Sequence, residues 1–160
     1  MTDTELPDDV VLVAPRDKLA YLDHQSVTLD RPMSPIEAWN ALMSRPMPLL
    51  KLAFRTRDLL AAPFGIKRID GFSRQRHAAP LPGDHLDFFL VEDARPDRLV
   101  LTARDVHLDV LVCLLTHGRE FSVTASVITH NLVGRLYMLP VAPAHRLIVR
   151  SMIARLNTAA

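Results

Sequence analysis

At 160 residues the chain is long enough to bury one sizeable core and short for two. A composition that is 49% hydrophobic and 23% charged excludes disordered and fibrous classes, and a formal net charge of +1 leaves no global field to recruit nucleic acid or membrane. The single cysteine, Cys113, rules out an intrachain disulfide and a cysteine-based zinc cluster, which fits a reducing compartment.

The N-terminus carries Asp3, Glu5, Asp8 and Asp9, then an apolar stretch, Val10 to Ala14. That stretch is too short for a signal peptide and has no basic region before it. No apolar run elsewhere approaches a bilayer span. Residues 1–16 therefore read as a flexible tail before a single domain over 17–158, and the expected location is cytoplasmic.

Lys18 to Leu29 predicts a first strand, ended by Asp30-Arg31-Pro32. Ser34-Pro35-Ile36-Glu37 then carries a helix start: Ser34 can accept from a first-turn N–H, Glu37 can reach back to Ser34, and Pro35 sits where its missing donor costs nothing. This helix stops at Arg45-Pro46. A second helix is expected from about Pro48 to Ala62, with an apolar stripe of Leu49, Leu52, Ala53, Leu59 and Leu60.

After a loop over Gly71 to Gly83 the pattern turns strand-like. Strands are expected at Leu86 to Val91, Leu99 to Arg104, Leu108 to Thr116 and Arg119 to Thr129, joined as an antiparallel meander. A turn centred on His117-Gly118 pairs Leu114 with Phe121, Val112 with Val123 and Val110 with Ala125. A turn centred on Asp105-Val106 pairs Ala103 with Leu108, Leu101 with Val110 and Leu99 with Val112. Both turns put the same middle-strand residues on one apolar face, and a slip of one residue would invert it. The other face holds Glu120, Ser122, Thr124 and Ser126, which favour water, and Leu111, Cys113 and Leu115, which do not.

Asn131 is placed to cap a short helix ending near Leu139, where Pro140 and Pro143 interrupt the pattern. A final helix follows, with Leu147, Val149, Ile153 and Leu156 among Arg146, Arg150 and Arg155. The two early helices and this last one must share the one large apolar sheet face, which makes the fold class α+β.

The order of one strand, two short helices, antiparallel strands and a long helix resembles the helix-grip arrangement of the START-like (SRPBCC) superfamily. The residues His107-Leu108-Asp109, Thr129-His130-Asn131, Gly134-Arg135-Leu136-Tyr137 and Pro143-Ala144-His145-Arg146-Leu147-Ile148-Val149 resemble a bacterial START-like family of unknown function. The resemblance covers the chain from about Tyr21 and is firmest from His107 to Arg150. It implies a curved sheet wrapped on the C-terminal helix, and a cavity between them that often holds an apolar ligand. It carries no catalytic residue across.

Candidate chemistry is sparse. His107-x-Asp109 and His85-x-Asp87 place imidazole and carboxylate on one strand face, as metal ligands require, but strand-end polarity outweighs a metal site there. Cys113 sits mid-strand with no nucleophile signature around it and reads as a small packed residue. Five glycines supply no phosphate-cradling or nucleotide-binding loop, so no cofactor is expected. The basic stretch from Arg45 to Arg76 has few aromatics and reads as a solvated face, with no nucleic acid expected.

The expected pocket is lined by Trp39, Phe54, Phe121, Tyr137 and His145, on elements that converge over the sheet. The leading reading is binding of a small hydrophobic ligand there. The alternatives are an enzyme using the same cavity, with His145 and Tyr137 as acid or base, and a homodimer joined through Leu111, Cys113 and Leu115.

Overall fold

The chain builds β1 (Tyr21–Thr28), α1 (Pro35–Met43), β2 (His85–Leu86), β3 (Phe89–Ala94), β4 (Arg98–Arg104), β5 (Leu108–His117), β6 (Glu120–Thr129) and α2 (Leu132–Ala154). Single 3-10 turns lie at Arg16–Lys18 and Ala62–Phe64. This computed structural model describes residues 5–45, 51, 55, 58–59, 62–65, 73 and 75–157. Most of the expected second helix, with Phe54, and much of the basic stretch lie outside those residues. Lys51, Arg55, Asp58 and Leu59 are helical.

The six strands form one antiparallel sheet in the order β1-β6-β5-β4-β3-β2. Its inner face meets both helices. Ala38, Trp39 and Leu42 of α1, and Val149, Met152 and Ile153 of α2, pack with Leu99, Leu101, Val112, Leu114, Phe121 and Val123 in the main core. A second cluster joins Tyr21, Leu108, Ala125 and Val127 to Met138 of α2.

The expected face assignment holds, but the pairing differs. Leu114 faces Val123 and Val112 faces Ala125, while Leu101 faces Val112 and Leu99 faces Leu114. Each hairpin turns one residue later than expected, which shifts every partner by two and leaves the faces unchanged. Gly118, at φ +61°, opens the β5–β6 loop with Arg119 as its second residue. A left-handed glycine in first place is what a type II′ hairpin needs. At the other turn the Asp105 carboxylate accepts the N–H groups of His107 (2.7 Å) and Leu108 (2.9 Å), an Asx arrangement that moves the bend forward.

The strand expected over Leu86 to Val91 is instead a tight hairpin. His85 pairs with Leu90 and Leu86 with Phe89, and Asp87 takes φ 56° between them. Aspartate is among the few residues that tolerate this region. A bulge at Glu92 then places Asp93 opposite Val100 on the outer face; regular alternation would have turned it toward the core.

The final helix is continuous through Pro140 and Pro143, contrary to the expected break. Both prolines are exposed, as are Leu136 and Leu139, whose carbonyls they leave without a helical partner, so water can satisfy those groups. Prolines on the outer side also suit a helix convex toward solvent.

The largest correction concerns the N-terminus. Of the segment expected as a flexible tail, the described part around Val10 to Val13 lies as a strap across the outer sheet face. Val10, Val11 and Val13 pack on Val100, Leu111, Cys113 and Leu115, which are all buried. The Val13 N–H donates to Ser126 Oγ at 3.0 Å. Arg98 donates to Asp93 at 2.7 Å and to the Asp9 carbonyl at 3.2 Å, tying the strap to the bulge. Ser122, Thr124 and Ser126, expected in water, are therefore buried, and the surface assigned to a homodimer is occupied by the chain itself. The aliphatic side chains on that face need cover, and the apolar run from Val10 to Val13 supplies it from far away in the sequence.

Candidate functional site

Alternation along β1 turns Tyr21, Asp23 and Gln25 toward α2, whose second half presents Ala142, His145 and Arg146 to them. The Tyr21 hydroxyl lies 3.2 Å from His145 Nδ1 and donates to the Ala142 carbonyl at 3.4 Å. Tyrosine has one proton, so both contacts are made together when His145 carries its own proton on Nδ1. That tautomer leaves Nε2 as an acceptor. The two rings meet edge-on, with centroids 5.7 Å apart.

A polar rim closes over the pair. Arg146 lies 5.3 Å from the Tyr21 ring centre and 3.6 Å from Asp23. Gln25 donates to Asp23 at 2.7 Å and to the Arg146 carbonyl at 3.1 Å. Burial pushes the His145 pKa down, with Arg146 adding to it and Asp23 opposing. Burial also pushes the Tyr21 hydroxyl well up, reinforced by Asp23. Both groups are neutral at neutral pH, a donor–acceptor pair set into an apolar layer.

His24, on the opposite face of β1, lies 2.7 Å from Thr124 Oγ1, and burial depresses it too. Both histidines bind their proton less readily in the folded chain than at the ordinary value near 6.5. Between the folded and unfolded pKa values the unfolded chain holds more protons. The stability they contribute is therefore complete above about pH 6.5 and is lost as pH falls below it, by at most about 1.4 kcal/mol per pH unit for each histidine. Urea titrations from pH 7.5 to 5 should show this decline, and His145→Gln should flatten it. An equal slope in the variant would remove His145 from the account.

The residues expected to line a pocket divide. Trp39 stacks edge-on with Phe89 at 5.9 Å and, with Phe121, belongs to the main core. Tyr137 packs on the second cluster, of which Tyr21 is a member. Phe54 lies outside the described residues. Tyr21 is the partner that sequence reasoning missed. Its signal was the alternation of the first strand, which puts Tyr21, Asp23 and Gln25 on one face.

Of the segments that carry the family resemblance, the last supplies His145 and Arg146 to this site, and the others meet at the joint where α2 begins. His130 N–H donates to the His107 carbonyl at 2.8 Å. Asn131 caps α2 through Gly134 N–H at 3.0 Å and donates to the Val106 carbonyl at 3.1 Å. Asp109 binds His130 at 3.1 Å and Arg104 at 3.3 Å. His107 turns to Asn131 and not to Asp109, so the tempting His-x-Asp pair is split between two structural contacts. Among the described residues no three His, Cys, Asp or Glu side chains gather as a metal site. Burial raises the Cys113 pKa, which keeps it a thiol under the strap.

A sequence profile for a family described as a protein of unknown function, DUF2867, matches residues 16–152. No curated protein and no solved structure matches the chain. Among the described residues no helix is long and apolar enough to cross a membrane.

Proposed function

Since the chain belongs to this family of unknown function, DUF2867, and takes no activity from it, we propose a function from the site itself: binding of a small apolar ligand with a hydroxyl-type head. The ligand's body lies between the sheet and α2, and its head meets Tyr21 and His145. One observation carries this reading. A neutral Tyr–His pair sits against the apolar cluster of Leu108, Ala125, Val127 and Met138, where plain packing needs no polar group. The helix-grip layout of the START-like superfamily, with its ligand space between sheet and C-terminal helix, supports the same assignment.

Native mass spectrometry of gently purified protein, followed by denaturing extraction, tests it. The expected result is a mass excess that releases one apolar molecule bearing a hydroxyl. Tyr21→Phe with His145→Gln should lower occupancy about fivefold, the worth of one or two neutral hydrogen bonds. A bare polypeptide mass for the wild-type protein would sink the proposal.

The unprotonated Nε2 of His145 favours one second reading, an enzyme in which His145 is the base and Tyr21, in place of Tyr137, its partner. Turnover of the extracted molecule, lost in His145→Gln and retained in Tyr137→Phe, would separate it from simple carriage.

A further inference from the structure

The outer face of α2 has no counterpart in this ligand reading and stands apart from it. Leu132, Leu136, Leu139 and Leu147 are each more than half exposed, and the exposed Pro140 and Pro143 fall between them. At 3.6 residues per turn these six side chains make a stripe about 100° wide. A globular helix normally gives that width to its core-facing side. Here α2 has a second apolar face, opposite Gly134, Met138, Val149 and Met152, which already meet the sheet.

Charge indicates what covers it. From Asn131 to the C-terminus the chain has four arginines and no aspartate or glutamate. Arg135 is exposed beside the stripe and Arg150 is exposed on its line, just past Leu147, while Arg146 is engaged by Asp23. The overall charge of +1 thus conceals a segregated distribution, acidic at the N-terminus and wholly basic along this helix. Pairing the stripe with a second copy would set arginine against arginine, with no carboxylate on the helix to relieve the repulsion. A helix with leucines along its outer face and arginines next to them matches the boundary between anionic headgroups and acyl chains.

We propose that the outer face of α2 seats the protein on an anionic phospholipid surface. Its leucines enter the headgroup–acyl boundary and Arg135 and Arg150 contact lipid phosphates.

Flotation with vesicles tests this on the full chain. Vesicles of phosphatidylcholine with about one third phosphatidylglycerol should carry the wild-type protein upward, and pure phosphatidylcholine vesicles should leave it behind. Each of Arg135→Gln and Arg150→Gln should weaken binding about fivefold at low salt, and raised salt should release the protein. Leu136→Gln with Leu139→Gln should weaken it at least about tenfold without changing the melting temperature, because both side chains are exposed. Three results would overturn the proposal: failure of the wild type to float, flotation indifferent to the leucine changes, or retention on an acidic protein matrix without vesicle binding. The assay needs no bound ligand, so its outcome is independent of the mass-spectrometric test.

Discussion

Gly134→Ala is expected to destabilise the fold by about 3 kcal/mol, lowering the melting temperature by roughly 10 °C. Elsewhere the same change inside a helix stabilises it, because alanine is favoured over glycine by about 1 kcal/mol. The sign is reversed here by a backbone contact. A Cβ at position 134 would overlap the carbonyl oxygen of His107, which also accepts the His130 N–H. Neither side can yield cheaply. The carbonyl is held by the β4–β5 turn, and the first turn of α2 is held by Asn131, which bonds Gly134 N–H and the Val106 carbonyl. Urea unfolding of the variant settles the matter, with m unchanged and the midpoint lowered. A midpoint at or above that of the wild type would show that the joint can open without cost.

Deleting residues 1–14 is expected to cost roughly 3–5 kcal/mol, with self-association of what remains. Three half-buried valines leave, at about 1 kcal/mol or more each, and the apolar surface beneath them meets water. That surface is Val100, Leu111, Cys113 and Leu115. Cys113 gives a direct readout, since it is buried and its thiol is held protonated by that burial. Labelling by a disulfide reagent should be slow in the full chain and faster by at least about a hundredfold once the strap is gone. Val11→Asp should move both readouts in the same direction while keeping the chain length. Unchanged melting and unchanged labelling in the truncated protein would dismiss the strap as a structural element.

Much of the architecture was legible because period-two patterning is a statement about faces, and faces survive small errors. The expected turn centres, 105–106 and 117–118, each missed by one residue. Leu99, Leu101, Val112, Leu114 and Phe121 nonetheless lie on the expected side. The cap at Ser34 was equally readable, since its oxygen accepts Glu37 N–H at 3.3 Å. Glu37 itself turns away from Ser34 to Arg31 at 2.7 Å. What failed was what local signals do not encode. A helical proline costs less where its unpaired carbonyl can reach water, and exposure at Pro140 and Pro143 depends on tertiary docking. The short Val10 to Val13 run matched a tail because its partner surface is contributed by strands ninety and more residues away.

The candidate site divides along the same line. His145 could be named from its helix, but Tyr21 became its neighbour only through the long-range choice of β6 as the partner of β1. Trp39 and Phe121 were correctly expected to converge over the sheet, and they did so as packed core. Aromatic residues on converging elements satisfy either role, so their positions alone could not choose between them.

Strand order also sets a schedule. The four strands from β3 to β6 are joined by short hairpins and can zip together from neighbours in sequence, whereas β1 pairs with β6 across about a hundred residues. During synthesis β1 is made well before Glu120–Thr129 and waits for that strand before it can pair, whereas the strap finds its apolar floor once β4 and β5 are in place. Until β6 is made the nascent chain carries β1 as an unpaired, apolar-patterned segment. β6 then admits β1 at its edge and fixes the strap with one hydrogen bond, from Val13 N–H to Ser126 Oγ.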